Sequence, residues 1–123
     1  MKSDILIITA SLFGLTSVIF GAFGAHALKK ILNKDQLNSF ETGVRYQMYH
    51  AIVLLAIGFS DNKIESYIYW CFTLGIILFS FSIYGLVISD SKGKKLKILG
   101  PITPIGGLLL ASAWAMLLFK FLN

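Results

Sequence analysis

Charge is the first thing this chain lacks. Only 14% of its 123 residues are charged, against about a quarter in an ordinary soluble domain. Acidic residues are the scarcer sign, six against eleven Lys and Arg. Asp4, Glu41, Asp61, Glu65 and Asp90 stand near or beyond the edges of apolar runs. No carboxylate lies deep in such a run, which counts against proton-coupled cation antiport. No carboxylate pair and no nucleophile-with-base constellation is visible, so no enzyme is expected. Cysteine occurs once, as Cys71, which excludes an internal disulfide and points to a packing role. Histidine occurs twice, as His26 and His50. Two histidines without Cys or inner carboxylates make a poor metal site, and no metal or other cofactor is expected.

Apolar residues are what the chain has in excess. They make up 56% of it, and the mean hydropathy is +0.76. Four apolar segments stand out: Ile5–Leu28, Val44–Phe59, Tyr67–Ser89 and Ile98–Leu122. A helix needs roughly 20 residues to cross a bilayer core, and three of the four qualify outright. Polar outer faces, which a water-soluble helix needs, are almost missing. The expected fold is all-α, an integral membrane four-helix bundle with short linkers and antiparallel neighbours. It forms a single domain over residues 1–123, with helices at about 5–28, 40–59, 67–89 and 98–122. Ala25-His26-Ala27 resembles a leader-peptide cleavage site, but the run before it is too long and Asp4 precedes it. A retained helix is expected.

The linkers predict an orientation. Lys29, Lys30, Lys34 and Arg45 belong to one side, as do Lys92, Lys94, Lys95 and Lys97. The opposite side has Lys2, Lys63 and Lys120. The excess of positive residues on cytoplasmic loops puts both basic linkers in the cytoplasm of a cell membrane and both termini outside. The seven linker lysines form a basic rim suited to anionic lipid headgroups. Nucleic acid fits poorly as a partner, because the charges lie in two short linkers.

Small residues predict close helix contacts. Ala10, Gly14, Ser17, Gly21 and Gly24 form one stripe on the first helix. Gly107, Ala111 and Ala115 form another on the fourth, and Gly75 and Ser82 mark the third. The fourth helix starts with GPITPIGG, where Pro101 and Pro104 suit a first turn and Gly100, Gly106 and Gly107 suit a crowded interface. Trp114 is expected to pack, and Trp70 and Tyr69 to form an aromatic belt.

The segment FETGVRYQMYHAIVLLAIG, Phe40–Gly58, is the main clue to function. Its uninterrupted apolar run, Ala51–Phe59, is too short to cross. The helix must extend back to Phe40, with Asn33 or Asp35 as a cap for a longer one. That forces Arg45, Tyr46, Gln47, Tyr49 and His50 into the membrane. Glu41 and Arg45 have the favourable order for an ion pair one turn apart. His50 is expected to be buried, neutral and hydrogen-bonded, with Tyr46, Ser80, Ser82 or Tyr84 as partners and His26 as a weaker one. The candidate polar cluster is His26, Glu41, Arg45, Tyr46, Tyr49 and His50.

GAFGAHAL, FETGVRYQMYHA, FSFSIYGL and GPITPIGG together resemble the domain-of-unknown-function family 423, small bacterial inner-membrane proteins. The match covers all four helices in order. It departs at Phe81, where the family usually has a small residue between the two serines. The resemblance implies a four-helix membrane protein with no assigned enzymatic activity.

Three functions compete. The first is a non-catalytic structural or accessory protein, serving membrane integrity or other membrane proteins, with the polar cluster clasping helices. Its partners would be lipids, further copies of itself or other membrane proteins. The second is a small oligomeric transporter or channel for an anion or small solute, using Arg45 and His50. The third is a metal, haem or quinone protein using both histidines. Helix rise puts His26 about 5 Å from Lys29 and His50 about 14 Å from Glu41, an awkward difference in depth for bis-histidine haem.

Overall fold

The computed structural model describes residues 1–123 and is all-helical. Four long helices follow in order: α1 (Ser3–His26), α2 (Lys34–Phe59), α3 (Ser66–Ser91) and α4 (Ile102–Leu122). Short 3₁₀ turns at Leu28–Lys30 and Lys97–Leu99 sit in the two basic linkers. Three helical segments, Ser3–Lys30, Ser66–Ser91 and Lys97–Leu122, are long and apolar enough to cross a membrane. Large apolar side chains such as Val18, Leu108 and Phe119 point outward, where a soluble helix would be polar.

α2 begins at Lys34, well before Phe40. Asn33 Oδ1 accepts from the Gln36 amide N–H at 2.8 Å, and Asn33 N–H donates to Gln36 Oε1 at 3.0 Å. This reciprocal capping box satisfies two donors that a helix start leaves free. α2 then runs the length of α1 in opposite order. Phe40 lies on Gly24, Val44 on Gly21, Gln47 on Phe13 and Thr16, and Gly58 on Leu6 and Ile7. The polar half of α2 therefore lies at the same depth as the apolar second half of α1.

α3 ends where Gly93 takes φ +76. Gly93 N–H bonds Asp90 O at 3.0 Å and Lys94 N–H bonds Ser89 O at 3.1 Å. These paired bonds need a left-handed residue, which glycine adopts without strain. Midway, α3 widens into one π turn at Ile77–Phe81. Ser82 Oγ donates to Phe79 O at 2.9 Å, a carbonyl that also accepts the Ser82 backbone N–H. That commits the one Ser82 proton, so the Thr103 hydroxyl of α4 donates to Ser82 Oγ.

The π turn is also where α4 comes closest. A methyl group on Gly106 would stand 2.7 Å from Leu78 C and Phe79 Cα. One on Gly75 would stand 3.1 Å from the Leu110 backbone nitrogen. The stripe expected on α4 is rotated away from this contact. Gly106, Leu110 and Ala113 are buried, whereas Ala111 and Ala115 are exposed. Consecutive helix positions differ by about 100°, so the one-residue offset turns the Gly107 stripe outward. Gly107 makes only ordinary contact with the Phe79 ring, at 3.7 Å. Gly14 also departs from expectation, since a Cβ there would meet nothing within 4 Å. Gly100 is crowded only by its own linker, 3.2 Å from Lys97 O. Phe81 avoids the crowded backbone by packing edge-on to Phe20 and Tyr84.

Two apolar clusters hold the ends. One gathers Leu6, Leu54, Ile68 and Phe72, and the other Leu28, Leu32, Phe40, Tyr84 and Val87 beside the basic linkers. At the end opposite those linkers, the Met1 ammonium donates to Ile64 O at 3.0 Å. Lys120 Nζ donates to Glu65 Oε1 at 3.0 Å. That bond holds the exposed Glu65 carboxyl below its ordinary pKa.

Gly106→Ala is expected to lower stability by about 1–3 kcal/mol, the usual size of an overpacking cost. Gly14→Ala should cost nothing and gain helix propensity. Thermal unfolding of both variants in detergent checks the contrast. Equal midpoints for the two would refute the backbone contact at Gly106.

Candidate functional site

The polar centre of the molecule is Gln47, whose side chain is fully buried. Its Nε2 donates to Phe13 O at 2.9 Å and to Thr16 Oγ1 at 2.6 Å, both on α1. Its Oε1 accepts from Tyr84 O–H at 2.7 Å, on α3. One carboxamide thus joins three helices with both of its donors used. One turn earlier on α2, Ser80 Oγ donates to Gly43 O at 2.7 Å. Tyr84 lies against Gly43, where a Cβ would stand 2.8 Å from the ring. α3 therefore docks on α2 through a glycine contact flanked by two hydrogen bonds.

His50 lies one turn beyond Gln47 and turns toward α4. Its Nδ1 is 2.7 Å from Tyr46 O, and Trp114 Nε1 donates to its Nε2 at 3.1 Å. A carbonyl only accepts and an indole N–H only donates. His50 must therefore be the neutral tautomer protonated at Nδ1. Both ring nitrogens are committed, so a metal or haem iron could bind only by displacing Trp114.

The six residues of the expected cluster do not form one unit. His50 is buried among Tyr46, Phe72 and Trp114. Glu41 and Arg45 form an outward-facing pair at 3.9 Å, and Arg45 Nη2 also donates to Thr42 Oγ1 at 3.2 Å. Tyr46 and Tyr49 are exposed on the same side. His26 is elsewhere. α1 runs unbroken to its end with the Gly21/Gly24 face on α2, which turns His26 outward beside Lys29 and Lys30. Its depth and direction both separate it from His50.

Gln47 and Trp114 are the residues that sequence reasoning missed. Gln47 is a lone amide among aromatics, with no partner at helical spacing. Its signal was available only as an uncharged polar residue that length alone pushes into the membrane. Trp114 was read as packing. It is nearly half exposed, and its N–H is what orients His50.

The basic rim is a geometric fact as well as a sequence pattern. Gln36 Nε2 donates to Asp90 Oδ2 at 3.0 Å, and Leu99 packs on Gly85. These contacts bring the linker holding Lys29, Lys30 and Lys34 to the same end as that holding Lys92, Lys94, Lys95 and Lys97.

Three long apolar segments with outward-facing apolar side chains define a multi-pass membrane protein. The chain belongs to the family described as a protein of unknown function, DUF423, whose model matches residues 20–107. It is 39% identical to a UPF0382 membrane protein of Staphylococcus haemolyticus over 97% of this chain and 98% of that one. It is 33% identical to the UPF0382 inner membrane protein YgdD of Escherichia coli K12, over 96% and 89%. A UPF0382 membrane protein of Haemophilus influenzae is 38% identical over 97% and 94%. No solved structure matches the chain.

Gln47→Leu should destabilise by about 1–3 kcal/mol, because it leaves the Tyr84 hydroxyl buried without its acceptor. Tyr84→Phe should cost roughly 0.6–2 kcal/mol. The double variant should cost less than their sum. His50→Ala should fall in the Tyr84→Phe range, and Glu41→Gln should stay within about 1 kcal/mol because that pair is exposed. Unfolding equilibria in detergent supply all five values. Strict additivity of Gln47→Leu and Tyr84→Phe would remove the network.

Proposed function

We propose that this protein is a non-catalytic accessory component of the cell membrane, which stabilises the bilayer or supports other membrane proteins. The observation that carries this reading is that the side chains of Gln47 and His50 are fully engaged within the chain; of the buried polar side-chain atoms, only the Ser17 and Thr73 hydroxyls lack a partner. Gln47 and His50 spend their hydrogen-bonding capacity on α1, α3, α4 and their own helix. Such groups fix helix register. They are poorly placed to pass protons, bind a metal or activate a substrate. Transport through Arg45 and His50 is less well supported, because Arg45 points outward and His50 is enclosed by aromatic rings.

The same reading takes all four helices as crossing the bilayer in an antiparallel bundle. The continuous register of α2 on α1 supports the fourth crossing. It takes the lysine-rich end as cytoplasmic and both termini as outside. Single cysteines at Lys63 and Lys95, in a Cys71→Ser background, test the orientation. A membrane-impermeant thiol reagent applied to intact cells should label position 63 and spare position 95. Labelling of position 95 alone would invert the assignment.

Native mass spectrometry of the detergent-purified chain, with solute-flux assays in proteoliposomes, tests the function. Retained lipid, no stoichiometric haem or metal and no flux above empty liposomes are expected. A deletion strain should show altered membrane robustness or lipid content. Flux abolished by Arg45→Ala would instead establish a transporter.

A further inference from the structure

A groove of about 540 Å³ opens at the lysine-rich end, between α2 and α4, with α3 as its floor. Its size falls within the roughly 300–1,000 Å³ of small-ligand sites. The floor is apolar, made by Ile83, Leu86 and Val87. The walls are polar, with Asp35, Ser39 and Thr42 from α2 and Thr103 from α4. Asp90 and Lys95 complete the lining.

Charges of both signs share this space without neutralising one another. The two ion pairs of the chain are Glu41–Arg45 and Glu65–Lys120. Asp35, Asp90 and Lys95 belong to neither. Asp90 is nevertheless held in place. Gln36 is fixed by the capping box through its Oε1 and donates to Asp90 Oδ2 through its Nε2. Asp90 Oδ1 receives no protein donor and remains for a ligand. Thr42, on the groove wall, accepts from Arg45 Nη2, while Arg45 itself lies outside the lining, paired with Glu41.

Beyond Thr42 on α2 and Thr103 on α4, toward the middle of each helix, stand aromatic side chains. The Tyr46 ring lies 5.0 Å from that of Phe79, and Trp114 lies 6.0 Å from His50. Tyr46 and Trp114 are both nearly half exposed there. Polar, oppositely charged groups at the helix ends are thus followed along α2 and α4 by half-exposed aromatic rings. A glycerophospholipid presents the same order of chemistry.

We propose that this groove seats one phospholipid with a zwitterionic, primary-amine headgroup. The ammonium sits between Asp35 and Asp90, and the phosphate faces Lys95. One acyl chain follows Tyr46 and Trp114. Two carboxylates in the groove repel a headgroup that brings only negative charge. The lysines outside it attract anionic lipid without shaping a site for it. This proposal deepens the accessory reading and rests on it.

The test uses the full chain in detergent, equilibrated with equimolar dioleoyl phosphatidylethanolamine and dioleoyl phosphatidylglycerol and weighed by native mass spectrometry. One phosphatidylethanolamine per chain should be retained in preference to phosphatidylglycerol. Asp35→Asn and Asp90→Asn should each weaken that retention ~10-fold, the effect of one lost charge-assisted bond. Lys29→Gln, outside the groove, should leave it unchanged. Should the aspartate variants fail to fold, Ser39→Trp fills the groove with every charge kept, and the same loss is expected. Equal retention of both lipids, preference for phosphatidylglycerol, or full retention in folded aspartate and Trp variants overturns the proposal. The flux assays above leave this lipid count untouched, so failure of the groove and failure of the accessory reading are told apart.

Discussion

The Gln47 carboxamide is the constraint on which the arrangement of helices depends. A buried amide without partners in an apolar medium costs several kcal/mol. Here its two donors and its acceptor are met by Phe13 O, Thr16 and Tyr84, from two different helices. Lipid offers helices no hydrophobic reason to associate, so these directional bonds carry unusual weight. They fix the rotation of α2 about its own axis. Gly43 then faces Ser80 and Tyr84, His50 faces Trp114, and Glu41 and Arg45 face outward. Turning α2 by one residue, about 100°, would break each of these contacts together.

The contact between α3 and α4 is governed by a different constraint, the space between backbones. Gly106 admits the Leu78–Phe79 backbone and Gly75 admits Leu110. The π turn lies within this approach, and Ser80 inside it and Ser82 just after it are both paired. Ser80 bonds α2, while Ser82 bonds its own helix and α4. The widened turn thus joins the hydrogen-bonded half of the molecule to the close-packed half. α3 is the shared element, and α2 and α4 meet across it only through side chains such as His50 and Trp114.

Much of this was legible in the sequence. The number of helices, their approximate limits and the inward extension of α2 follow from apolar run lengths and from capping residues at Asn33. Positions that depend on rotation were harder to read. A stripe of small residues four apart, such as Gly107, Ala111 and Ala115, defines a helix face without saying what lies opposite. Gly106, one position earlier, makes the contact, because a backbone approach needs one missing Cβ and not a periodic row of them. The polar cluster shows the same limit. Charge drew attention to Glu41 and Arg45, which are outward. The neutral Gln47, with no periodic partner, is the residue that α1 and α3 close upon.

The contrast between Gln47 and Asp35 bears on where function resides. Gln47 and His50 are satisfied by other groups of the chain, and a ligand could reach them only by breaking bonds that hold helices. The groups around the α2–α4 groove are arranged differently. Asp90 is oriented by Gln36 but keeps one oxygen free, and Lys95 faces the same space without an ion-pair partner. Asp35, Asp90 and Lys95 are exposed, so these charges stay available to a group outside the chain. In this molecule the interior supplies rigidity, and the unpaired charges lie at the lysine-rich end, so any exchange with the surroundings is best sought there.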